Sequence, residues 1–109
     1  MADWTKQNLD DYFDALRKKD VATIMGMFGP TATLVDENNN ALQKEQIQQY
    51  YDKFLASPLN CNMVSFNARG NEVYVAYTYP KPGNSDIVRA SARFFFQDGK
   101  ITKLILELF

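Results

Sequence analysis

The chain has 109 residues, 46% hydrophobic and 23% charged, the balance of one folded domain rather than a disordered segment. Twelve Lys and Arg against 13 Asp and Glu leave a net charge of −1, without the basic excess that marks a nucleic-acid binder. One cysteine and no histidine exclude an internal disulfide, His-based triads and His-ligated zinc, so proton chemistry must fall to Asp, Glu, Tyr, Lys or Cys.

The opening residues Met1-Ala2-Asp3-Trp4-Thr5-Lys6 have no apolar signal core, and no segment reaches the length of a membrane span. A cytoplasmic location without membrane contact is therefore expected, and no cofactor is. From Trp4 to about Lys19, Leu9, Tyr12, Phe13 and Leu16 recur at the spacing of one helical face. Arg17-Lys18-Lys19 closes that helix, where cations suit the macrodipole. Asp20 has the character of an N-cap for a short second helix carrying Val21, Ile24, Met25 and Phe28, which Gly29-Pro30 should stop.

Ala32 to Asp36 reads as a brief strand, and Glu37-Asn38-Asn39-Asn40 as a hairpin turn leading to Ala41-Leu42. A third helix spans about Lys44 to Ala56, with Ile47, Tyr50, Tyr51, Phe54 and Leu55 on its apolar side and Ser57-Pro58 as its stop. Four strands follow: Cys61 to Ala68, Glu72 to Tyr79, Asp86 to Gln97 and Lys100 to Phe109. They are separated by Arg69-Gly70-Asn71, the loop from Pro80 to Asn84, and Asp98-Gly99. Helices first and an antiparallel meander afterwards define an α+β domain, not alternating βαβ units.

The long strand from Asp86 carries the signal for a pocket. Ala90, Ala92, Phe94 and Phe96 alternate onto one face, which should look toward the helices. Two alanines are too small to fill the space between a sheet and three helices. Either Tyr50, Phe54, Leu104 and Leu106 complement them, or a cavity remains. The opposite face carries Arg89, Ser91, Arg93 and Phe95 with Ile105 and Glu107. It reads as solvated sheet or as a two-fold interface, and exposed Phe95 and Ile105 favour a homodimer.

The run Tyr12-Phe13-Asp14-Ala15-Leu16-Arg17-Lys18-Lys19-Asp20-Val21, followed by Ile24-Met25-Gly26-Met27-Phe28, resembles the opening of nuclear-transport-factor-2-like proteins. That superfamily includes ketosteroid isomerases and SnoaL-type polyketide cyclases. Ala32 to Asp36, the helix around Ile47 to Tyr51, and Arg93-Phe94-Phe95-Phe96 through Gly99-Lys100-Ile101 continue the likeness over nearly the whole chain. It implies a cystatin-like topology, three helices packed on a curved antiparallel sheet that forms a cone around an apolar pocket. In the ketosteroid isomerase pattern, Tyr12 matches the tyrosine that donates to a substrate carbonyl, and Asp36 the aspartate that shuttles a proton. Ala92 stands where that pattern has a second, protonated acid. A missing oxyanion donor of this kind costs about 100- to 1,000-fold in rate.

Asp36 thus has two readings, a base whose pKa an apolar pocket would raise, or an acid that satisfies the amides of its own turn. Tyr12 is a substrate hydrogen-bond donor or a core aromatic with a bonded hydroxyl. Phe28, Tyr50, Tyr51, Phe54, Tyr77, Ala90, Ala92, Phe94, Leu104 and Leu106 are the expected pocket lining for a small apolar ligand. Three functions compete: a cofactor-independent isomerase, cyclase or lyase on a small apolar carbonyl compound, a non-catalytic small-molecule binder, and a dimeric interaction module with a filled core.

Overall fold

A computed structural model describes residues 4–56, 58–81, 83 and 86–109. The expected helix stop at Ser57, positions 82 and 84 of the expected loop, and the amino-terminal tripeptide lie outside the described residues. The elements run α1 (Lys6–Lys18), α2 (Val21–Met27), β1 (Phe28–Val35), β2 (Ala41–Gln43), α3 (Glu45–Phe54), β3 (Asn62–Arg69), β4 (Glu72–Pro80), β5 (Ile87–Gln97) and β6 (Lys100–Leu108).

Local chemistry sets the boundaries. At the start of α1 the Asn8 side-chain oxygen accepts the Thr5 backbone N–H at 2.6 Å, occupying a donor near the helix end. Lys19 ends α1 in a left-handed conformation at φ 56° and ψ 38°. Asp20 caps α2 as expected, accepting the Thr23 backbone N–H at 3.2 Å and its hydroxyl at 2.6 Å. Here the sequence reading is off by a few residues. Phe28 already has extended backbone, and Gly29-Pro30 lie inside β1 rather than after the helix. Lacking an N–H, Pro30 fits a stretch where the pairing of β1 with β6 is irregular, between Phe28 and Thr33.

One sheet holds the six strands in the order β2-β1-β6-β5-β4-β3. Strands β3 to β6 form the expected antiparallel meander. The sheet as a whole is mixed, because β1 runs parallel to β6 with Leu34 opposite Leu104 and Val35 opposite Ile105. It is also open: β2 and β3 are its two edges, so the strands do not close into a cone. The expected wholly antiparallel, strongly curved cone is therefore corrected to an open mixed sheet with helices packed on it. Alternation gives each strand an inner face but does not choose its partner, and the three-residue β2 is too short to carry the sheet round toward β3.

Leu9, Tyr12, Phe13, Ala15 and Leu16 of α1 are buried against the sheet, together with Ile24, Ile47 and Tyr51 of the other helices. From the sheet come Leu34, Val73, Val75, Ala90, Ala92, Phe94, Leu104 and Leu106. The Trp4 indole N–H donates to the Gly70 carbonyl at 2.9 Å, and its ring stacks on Phe96 at 6.1 Å. That pair pins the start of α1 to the β3–β4 turn.

Candidate functional site

The inner face of β5 carries Ala90, Ala92 and Phe94 where alternation puts them, each at most 1% exposed. Tyr77 stands opposite Ala90 in the register of β4 and β5. Onto these residues pack two rings of α1. Tyr12 meets Phe94 edge-on at 5.1 Å, and Phe13 tilts against Tyr77 at 5.3 Å. Aromatic rings thus stand beside the small alanines, with Leu104 and Leu106 buried on the adjacent strand.

Five tyrosines converge around this core. The hydroxyls of Tyr12 and Tyr51 share a buried hydrogen bond of 2.6 Å. Tyr51 lies edge-on to Tyr50 at 5.1 Å, Tyr50 stacks on Phe54 at 5.5 Å, and Phe54 meets Tyr79 at 5.9 Å. Tyr77 stacks on Tyr79 at 6.1 Å. Although only 4% exposed, Tyr77 makes no hydrogen bond through its hydroxyl among the described residues. No fully occluded side-chain oxygen among them lacks a partner, so that hydroxyl reaches space open to solvent.

Glu37 is bonded to one of these tyrosines. Its half-buried carboxylate accepts the Tyr50 hydroxyl at 2.7 and 2.8 Å. Burial is the main cause that raises the pKa of Tyr12, Tyr50, Tyr51, Tyr77 and Tyr79, and the charge of Glu37 pushes each in the same direction. All five phenols are consequently protonated near neutrality and available as hydrogen-bond donors.

Asp36, by contrast, is engaged by its own turn. One oxygen accepts the backbone N–H groups of Asn38 and Asn40, both at 2.9 Å, and the other lies 3.4 Å from the Asn40 side-chain amide. Tyr12 and Asp36 share no hydrogen bond among the described residues. Asp36 and Glu37 do line a surface concavity of about 380 Å³ with Val35, Asn39, Ile105 and Glu107. Phe28 lies 6.2 Å from Tyr51 and lines a second cleft of about 290 Å³ with Met25, Ala32, Lys44 and Ile47.

Sequence reasoning had placed Glu37 only in the turn. The link to Tyr50 spans 13 positions and follows no helical or strand period, so alternation could not reveal it. On the outer sheet face Arg93 lies 3.6 Å from Glu72 and over the Tyr74 ring, while Lys103 lies over Phe95. Phe95 and Ile105 are half-buried there and Glu107 is exposed. Among the described residues no cluster of three or more Cys, Asp and Glu could hold a metal ion. No helix among them is long and apolar enough to cross a membrane.

The fold is that of a known class. The SnoaL-like domain pattern matches residues 9–104, and the chain belongs to that family, within the nuclear-transport-factor-2-like superfamily. A hypothetical protein with a ketosteroid isomerase-like fold from Catenulispora acidiphila, solved with trimethylamine, is 15% identical with a TM-score of 0.81, covering 94% of this chain and 85% of the other. A protein of the same superfamily and unknown function from Cytophaga hutchinsonii is 15% identical with a TM-score of 0.76, over 97% and 91% of the two chains. The epoxide hydrolase/cyclase-like enzyme SalBIII, of pyran ring formation in salinomycin, is 20% identical with a TM-score of 0.82, over 95% and 89%. No curated protein matches the sequence. At these identities the structures share the fold, and a fold alone does not fix chemistry.

Proposed function

We propose that the protein is a cofactor-independent isomerase, cyclase or lyase that moves a proton on a small carbonyl compound held at the tyrosine cluster. The observation that carries this reading is the half-buried Glu37 carboxylate, bonded to Tyr50 and facing phenols that burial keeps protonated. A carboxylate can take a carbon-bound proton, and a protonated phenol can stabilise the oxyanion that results. Tyr77, whose hydroxyl has no partner among the described residues, is the donor ready for such an oxygen. Cyclase-like activity on the same fold, as in SalBIII, is consistent with this class.

Two pairs can supply the chemistry, Glu37 with Tyr50 or Tyr77, and the Asp36–Tyr12 pair that the family resemblance implies. Exchange of α-protons for deuterium, followed by proton NMR on a panel of small ketones, separates them without knowledge of the product. Glu37→Gln is expected to slow exchange by about 100-fold or more, and Asp36→Asn to leave it within about threefold of wild type. The opposite pattern assigns the base to Asp36. Exchange no faster than buffer across the panel would sink the enzymatic reading.

A second reading, a binder without chemistry, draws on the closed Tyr12–Tyr51 hydrogen bond, which leaves those hydroxyls no need of a substrate. The trimethylamine complex of the Catenulispora protein supports small-ligand binding on this fold. Homodimer formation through Arg93, Phe95, Ile105 and Glu107 is part of the proposal, supported by the two half-buried apolar residues between basic and acidic ones. Phe95→Glu should then give a monomer in sedimentation, and an unchanged sedimentation coefficient removes this interface.

A further inference from the structure

Among the described residues no basic side chain pairs with Glu37. A carboxylate accepts about four hydrogen bonds, yet among the described residues the Tyr50 hydroxyl alone donates to this one and no ion pair includes it. A partly buried charge without a countercharge is unfavourable, and it creates a negative potential in the low-dielectric space beside it. The neighbouring concavity adds Asp36 and Glu107 to Glu37, with no Lys or Arg in its lining.

The aromatic surfaces point the same way. Three rings on the outside of this molecule carry a basic side chain of the protein itself: Lys6 over Phe66, Arg93 over Tyr74 and Lys103 over Phe95, at 5.9 to 6.0 Å. The contiguous rings of Tyr50, Phe54, Tyr79 and Tyr77 carry none among the described residues. Tyr50 and Phe54 are only half-buried, so part of their ring surface is open. Electron-rich ring faces beside a carboxylate attract an organic cation, the more so when it sheds water readily, as an alkylated ammonium does.

We infer that the Glu37–Tyr50–Phe54–Tyr79 surface recognises a ligand bearing a substituted ammonium group, with the rings contacting its methyl or methylene groups and Glu37 its charge. The inference rests on the reading of this cluster as a ligand site, and not on that site performing chemistry. It narrows the ligand from small organic molecules in general to small amines and quaternary ammonium compounds.

Choline and its uncharged isostere 3,3-dimethylbutan-1-ol, which have nearly the same shape, provide the test. Titration of the full chain by calorimetry, with protein NMR to locate the shifts, should show choline at least about tenfold tighter, because a desolvated cation on aromatic faces gains up to about 30-fold. Glu37→Gln should cut that preference by severalfold, leaving the share due to the rings, while the isostere's affinity stays within about twofold. Phe54→Leu, which keeps apolar bulk and leaves Glu37 in place, should weaken choline by about 2- to 30-fold and the alcohol hardly at all.

Equal affinities for the two probes, tighter binding of the alcohol, no binding of either, or shifts elsewhere than α3, the β1–β2 turn and the end of β4 around Tyr79 would each overturn the inference. Choline preferred by a protein that exchanges no α-proton would defeat the catalytic reading alone. Exchange on neutral ketones by a protein indifferent to the charge would defeat this inference alone.

Discussion

Alkaline unfolding gives the most direct measurement of the buried tyrosines. Tyr12, Tyr51 and Tyr77 are at most 4% exposed and Tyr50 is half-buried, and burial is the first cause of their raised pKa values. In the unfolded chain each ionises near pH 10. Above that pH the unfolded state binds fewer protons than the folded one, so stability is fully present below about pH 10 and falls as pH rises. Each phenol held protonated removes about 1.4 kcal/mol per pH unit, and four remove about 5.5. A domain stability of about 5–15 kcal/mol is then exhausted between about pH 11 and pH 13. Far-ultraviolet circular dichroism and tyrosinate absorbance, followed together against pH, should show these four phenols ionising in the same cooperative step that removes the secondary structure. Tyr51→Phe should lower the slope by about a quarter. If the four phenols titrate near pH 10 while the circular dichroism stays native, the buried arrangement described above is refuted.

Phe94→Ala removes a fully buried ring that contacts Tyr12, Phe13 and Phe96. It should cost about 3–5 kcal/mol, or about 13–22 °C in calorimetric Tm for a chain of this length, whereas a loss below about 1 kcal/mol would mean the site collapses without a cavity. Asp20→Ala removes the cap of α2 and should lower Tm by about 2–8 °C. The Thr23 hydroxyl and amide hold the Asp20 carboxyl below its ordinary pKa. Its stabilisation should therefore be present above that ordinary value and vanish as acid takes the pH down through the folded one, so wild type and variant should converge in Tm in strong acid.

The order of elements was legible because it depends on local pattern. The apolar face of α1, the cap at Asp20, the alternation along β5 and the Asp98-Gly99 turn are all written within a few residues of where they act. Both Asp98 and Gly99 have positive φ, 52° and 77°, as a tight hairpin turn of this kind requires. The parallel pairing of β1 with β6 was not legible, since it joins residues about 70 positions apart and strand period carries no information on partner or direction. The openness of the sheet depends on the shortness of β2, which the sequence shows only as a pair of residues after a turn. Helix α2 and strand β1 abut without a linker, and that displaced the reading of Gly29-Pro30.

The sequence shows the tyrosines as residues of helix and strand faces, but not that Glu37 bonds to one of them. Asp36 stands beside Tyr12 in the sequence reading because the resemblance to ketosteroid isomerases implies an aspartate at the end of the first strand. The strand ends at Val35, however, where the turn begins. A short aspartate side chain reaches the amides two and four residues ahead, as turn aspartates do, and Asp36 is spent there. The longer glutamate that follows extends back over α3 to Tyr50. Two adjacent acids thus divide the work by side-chain length: the shorter one shapes the turn, and the turn it shapes presents the longer one to the phenols. Removing the Asp36 carboxyl should accordingly disturb Glu37 indirectly, through the turn. That is why Asp36→Asn, which keeps one oxygen for the Asn38 and Asn40 amides, and not Asp36→Ala, is the substitution that separates a base from a scaffold.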